Sequence, residues 1–166
     1  MRYSIARAKI KTVDILAFSH TGWKSWNDIK IGIVRMFTQS EYSHVGIAWV
    51  TSGRVFVLEA VVPEIRIFPL SKYEQFYHLH MLKPLFPVAL EFALSLVGEE
   101  YSQIEAMKAF FGKSNTENKK WECAEYVQEI MRMNGMPLPG EATPTNVVLK
   151  AMSMYNVTIQ SVEGDK

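Results

Sequence analysis

An α+β fold, with a mainly antiparallel sheet early and helices late, follows from three features of the sequence. Two β-rich runs, Ser43–Val50 and Arg54–Ala60, are joined by Thr51-Ser52-Gly53, a hairpin signal. Further short β-rich runs surround this pair in the first half. The second half instead carries apolar residues at helical spacing, punctuated by Gly and Pro.

In chain order, Val13-Asp14-Ile15-Leu16-Ala17-Phe18 reads as the first strand. Ser25 or Asn27 can cap a helix in which Ile29, Ile33, Met36 and Phe37 recur at helical spacing to about Thr38. After the hairpin, Ile65–Pro69 and Tyr77–Leu82 are expected strands, with a short helix near Ser71–Gln75 between them. Pro87 suits the first turn of a helix running to Val97, and Gly98 its stop. Ile104–Phe111 is expected to be helical and to end at Gly112. Lys113–Lys120 has no apolar rhythm and is expected as an exposed loop. A helix starts near Trp121 or Glu122, passes Val127, Ile130 and Met131, and stops near Asn134-Gly135. Thr143-Pro144-Thr145 opens a last helix to about Met152, and Tyr155–Ser161 can add a final strand.

At 166 residues the chain suits one domain, residues 1–166, and can bury a sizeable core without staples. Apolar residues are 48% and charged residues 21%, so disorder is not expected. A net charge of +1 gives no electrostatic case for nucleic acid or an anionic membrane. Arg2, Arg7, Lys9 and Lys11 imitate the basic start of a signal peptide, but Val13–Phe18 is short and interrupted by Asp14. No apolar run approaches the roughly 20 residues of a membrane-spanning helix. The expectation is a cytoplasmic protein, with lysis or carriage in a virion as other routes to a cell wall.

Cys123 is the only cysteine, so it cannot form an internal disulfide. It is either a small buried residue or a thiol kept for chemistry. In the first turn of its expected helix, unpaired N–H groups and the helix dipole favour a thiolate and can hold an oxyanion. If Ser52-Gly53 is a two-residue turn, Gly46 faces Glu59 and His44 faces Val61. His44 and Glu59 are then diagonal neighbours on one face, about 7–8 Å apart at Cα. A one-residue slip would separate them. His44 then serves as a base for Cys123, and Glu59 orients the imidazole and stabilises its charged form. Glu59 in an apolar strand either has such a partner or sits at an exposed strand end.

The strings Val13-Asp14-Ile15-Leu16, Tyr42-Ser43-His44-Val45-Gly46-Ile47 and Leu58-Glu59-Ala60 together resemble the circularly permuted NlpC-type cysteine peptidases, often termed YiiX-like. So do Pro69-Leu70-Ser71, Glu122-Cys123-Ala124-Glu125-Tyr126-Val127 and Thr143-Pro144-Thr145-Asn146-Val147, and the resemblance covers roughly residues 10–150. It implies a permuted papain-like fold with the nucleophile on a late helix. Cys123 is then the nucleophile, His44 the base and Glu59 the third polar member of an amide hydrolase that acts through an acyl-enzyme. A peptide such as a peptidoglycan-type fragment is the implied substrate, and no metal or organic cofactor is implied. Lipid amide or ester hydrolysis, or acyl transfer, is the alternative within enzymes. In the superfamily, lecithin:retinol acyltransferase carries a second His where this chain has Glu59. A non-catalytic binding module on the same fold is the alternative outside enzymes.

Four other positions bear on a site. Tyr42, two residues before His44, is expected on the same face, for packing or as an aid to the oxyanion hole. Trp121, beside the nucleophile, either belongs to the core or lines a substrate groove. His78 and His80 share a strand face, which invites a metal, yet no neighbouring Cys, Asp or Glu spacing completes such a site. They read as a solvated or packed pair. His20, near Trp23 and Trp26, is a candidate rim residue only.

Overall fold

The computed structural model describes residues 1–19, 42–99 and 122–165. Six strands form one sheet in the order β4-β3-β2-β1-β5-β6, and every pairing is antiparallel. They are β1 (Ile15–Phe18), β2 (His44–Thr51), β3 (Arg54–Val61), β4 (Glu64–Pro69), β5 (Gln75–Leu79) and β6 (Ile159–Glu163). The helices are α1 (Tyr3–Ala6), α2 (Pro87–Ser95), α3 (Glu122–Met133) and α4 (Pro144–Tyr155), and a single 3-10 turn spans Leu70–Lys72.

The hairpin turn sets the register from which the site is built. Ser52 and Gly53 both have positive φ, 48° and 71°, as a two-residue primed turn requires. Thr51 therefore pairs with Arg54 and Ile47 with Leu58. All four residues of β1 are buried, because this central strand is covered on both faces. One face packs the apolar stripe of α3, namely Cys123, Ala124, Tyr126, Val127, Ile130 and Met131, against Val45, Ile47, Leu58 and Ala60. The other face is covered by Tyr3, Ala6 and Ile10 of the N-terminal segment and by Leu70 and Tyr73.

Caps fix the helices that carry this packing. Thr143 accepts a hydrogen bond from the Asn146 amide at 3.1 Å, Pro144 occupies the first turn, and Asn156 ends α4 in the left-handed region. That left-handed stop lets α4 run to Tyr155, past the expected Met152, and moves the last strand to Ile159–Glu163. Buried Asn134 closes the end of α3, accepting from the Phe86 amide at 2.6 Å and donating to the Pro84 carbonyl. Strand β5 spans Gln75–Leu79 rather than Tyr77–Leu82, and α2 ends at Ser95 rather than Val97. Helix α1 was not expected from the sequence. The expected helices after Ser25 and over Ile104–Phe111, and the Lys113–Lys120 loop, lie outside the described residues.

Gly46 is required by close approach rather than by its torsion angles. A methyl group added there would lie 2.5 Å from Val57 Cγ2, 2.9 Å from the Leu58 carbonyl oxygen and 3.4 Å from Glu59 Cβ. Gly46→Ala should therefore lower stability by about 1–3 kcal/mol through overpacking, measured as a reduced urea midpoint at unchanged slope.

Candidate functional site: a buried carboxylate, a histidine and the cysteine

Glu59 has no solvent exposure, and three side chains converge on its carboxylate. His44 Nε2 lies 2.7 Å from Oε2, Arg66 Nε donates to Oε1 at 2.8 Å, and the Tyr73 hydroxyl stands 2.7 Å from both oxygens. Burial alone would raise the carboxyl pKa. Bonding to His44, with help from Tyr73 and Arg66, overcomes burial and holds Glu59 below its ordinary range. An ionised Glu59 keeps the proton of a neutral imidazole on Nε2, which places the lone pair on Nδ1. The ring's other hydrogen-bond partner is Cys123.

His44 begins β2, and Cys123 lies in the first turn of α3, which packs over β2 and β3. The thiol is free and 8% exposed, and His44 is 9% exposed. Desolvation pushes the imidazole down, but the charges and hydrogen bonds of Cys123 and Glu59 push it up further, to about 10. Phe18 flanks the pair, its ring 5.4 Å from that of His44 and 4.4 Å from that of Tyr73, so an apolar wall stands beside the charges. Arg66 lies over Phe68 at 4.5 Å, which keeps its guanidinium against Glu59.

Cys123, His44 and Glu59 are thus brought into one hydrogen-bonded series. Tyr42 precedes β2, so strand alternation does not extend to it. It belongs to the helix-side core with Cys123 and packs edge-on to Tyr77 at 5.3 Å. Trp121 and His20 lie outside the described residues. The sequence reading missed Arg66 and Tyr73. Arg66 carried a signal, since a two-residue turn at Val62-Pro63 puts it opposite Glu59, as observed.

The expectation that nothing completes a site at His78 and His80 is corrected by the fold. Strand β1 lies beside β5, with Leu16 opposite His78, and this register brings in fully buried Asp14. His78 Nε2 is 2.6 Å from Asp14 Oδ2, and His80 Nδ1 is 3.2 Å from Oδ1.

This arrangement of one antiparallel sheet with a histidine strand and a late cysteine helix defines an α+β fold with a solved counterpart. The chain superposes on the metalloprotein YiiX of Escherichia coli O157:H7 (DUF1105) with a TM-score of 0.53, over 94% of this chain and 89% of that one, at 20% identity. No family model and no curated protein matches the sequence. Among the described residues, no helix is long and apolar enough to cross a membrane.

The buried pair should make stability pH-dependent with a definite sign. The raised His44 pKa contributes stability that is full below 6.5 and lost as pH rises toward about 10. The lowered Glu59 pKa contributes stability present above 4.5 and lost as pH falls through its depressed value. The urea stability of wild type minus that of His44→Ala should therefore be greatest between 4.5 and 6.5. It should decline by a few kcal/mol, on the order of the shift itself, toward alkaline pH. A difference that is flat from pH 5 to about 10 would contradict the charged pair.

Proposed function

We propose that the protein is a thiol-dependent amide hydrolase that acts through an acyl-enzyme on Cys123. The observation that carries this reading is the imidazole of His44, bonded at once to Cys123 and to buried Glu59. An inert packing cysteine has no need of a histidine that is itself held by a fully buried carboxylate. Such a carboxylate is costly unless it is paired, and here its partners include the group that faces the thiol.

In the reaction, the thiol proton rests on His44 as imidazolium, and the sulfur attacks the substrate carbonyl carbon, forming the S–C bond. The backbone N–H groups at the start of α3 stabilise the oxyanion. Collapse breaks the C–N bond, and the imidazolium returns its proton to the departing amine. Water, deprotonated by His44, then attacks the thioester and releases the acid and the thiol. Glu59 holds the Nε2–H tautomer throughout and balances the imidazolium charge, while Arg66 and Tyr73 keep Glu59 ionised. A peptide of the peptidoglycan type is the substrate class favoured by the sequence resemblance. YiiX is described as a metalloprotein, and among the described residues here Asp14, His78 and His80 form a group that could hold a metal ion. No step above is routed through that set.

The test is alkylation of Cys123 by iodoacetamide as a function of pH, followed by a screen of peptide amides. As the only cysteine, Cys123 reports without interference. Wild type should be alkylated readily at about pH 6.5. His44→Ala should slow that reaction by about tenfold or more. An ordinary or unreactive thiol that ignores the mutation would sink the assignment. In the peptide screen, Cys123→Ala should abolish turnover. Glu59→Gln should lower kcat by roughly 10²–10⁴ by releasing the imidazole tautomer, and Tyr73→Phe by less.

A further inference from the structure

The Asp14, His78 and His80 group stands apart from the cysteine. Phe18, at one end of β1, pairs with His44, whereas Asp14 lies four residues back, about 13 Å along an extended strand. The group's two histidines line a cavity of about 360 Å³, together with Lys9, Lys11, Thr158 and Gln160. Its three donor atoms lie within 4.8 Å of one another.

We propose that Asp14, His78 and His80 bind one first-row divalent transition ion of the zinc type, with its remaining position open to this cavity. The donor set is two imidazoles and one carboxylate, which suits zinc-class ions and is too poor in oxygen for calcium or magnesium. Asp14 is held for the task. The Lys11 amide donates to Oδ2 and the Met81 amide to Oδ1, both at 2.8 Å, so both oxygens are positioned and each keeps lone-pair capacity. The backbone places the imidazoles, since His78 is paired with β1 in β5 and His80 follows the last residue of that strand.

The two histidine–carboxylate distances can be set against the spacing that such an ion requires. Ligand atoms on a tetrahedral ion with bonds near 2.0–2.1 Å stand about 3.3 Å apart. His80 Nδ1 is already 3.2 and 3.3 Å from the two Asp14 oxygens. His78 Nε2 is 2.6 Å from Oδ2, so the ion replaces the shared proton and opens that pair by about 0.7 Å. The His80 side chain is 39% exposed, which leaves a path for the ion. Lys9 and Lys11 at the cavity wall favour water-derived hydroxide or another small anion as the remaining ligand.

The test uses the tag-free full chain, stripped with chelator and titrated with Zn(II) by calorimetry and with Co(II) by visible absorption. One ion per chain is expected, with the d–d bands of a four- or five-coordinate cobalt centre and a raised Tm on Zn(II) addition. His80→Ala should weaken binding by about tenfold or more and His78→Ala by about a hundredfold, whereas Cys123→Ser should bind as wild type. Because His80 is half-exposed, its variant tests the site without disturbing the core; Asp14→Asn is avoided, since it alters a fully buried acceptor. Three outcomes would overturn the proposal: no stoichiometric binding, binding that survives His80→Ala, or binding lost in Cys123→Ser instead. All of these readouts are independent of amide hydrolysis, so failure here leaves the thiol reading standing, and the converse holds too.

Discussion

The fully buried carboxylate of Glu59 is the constraint around which the rest of the site is arranged. A lone ionised carboxylate in an apolar interior would cost several kcal/mol, so its partners are obligatory. They come from three separate elements: His44 from β2, Arg66 from β4, and Tyr73 from the segment after the 3-10 turn. Satisfying one charge therefore aligns two neighbouring strands with β3 and draws the chain after β4 back over the sheet. The same requirement fixes the imidazole plane, and through it the direction in which Cys123 is addressed. Packing and protonation at this place thus share one set of hydrogen bonds.

What the sequence revealed depended on how local the determining interaction was. The His44–Glu59 pairing was legible because Ser52-Gly53 sets a two-residue turn, and a hairpin register then propagates without further information. The start of α4 was legible because Thr143-Pro144 is a complete capping signal. Arg66 was recoverable by the same register logic applied to Val62-Pro63. Tyr73 was not, since it follows a 3-10 turn with no periodicity to carry its direction. Asp14 was the harder case. Its partners lie 64 and 66 residues away, on and just after a strand that adjoins β1 only because the sheet order places β1 between β2 and β5. Composition and alternation say nothing about that adjacency.

The two histidine–carboxylate groups use the same residue types to different ends. Around Glu59 the carboxylate is buried beneath aromatic rings and its histidine reports to a thiol. Around Asp14 the carboxylate is equally buried, yet its histidines face an open cavity with lysines at the wall. Strand β1 is common to both, with Phe18 at its end beside one and Asp14 just before its start in the other. A single central strand, buried on both faces, is therefore the ruler that holds the two groups at a fixed separation.

The first residues of the chain run beside β6. The Met1 amino group donates to the Ser161 carbonyl at 3.1 Å, the Glu163 amide donates to the Met1 carbonyl at 2.8 Å, and Arg2 bridges to Glu163. The N-terminal segment thus lies along the outer side of β6 and takes up backbone groups that an edge strand otherwise leaves open to pairing with another chain.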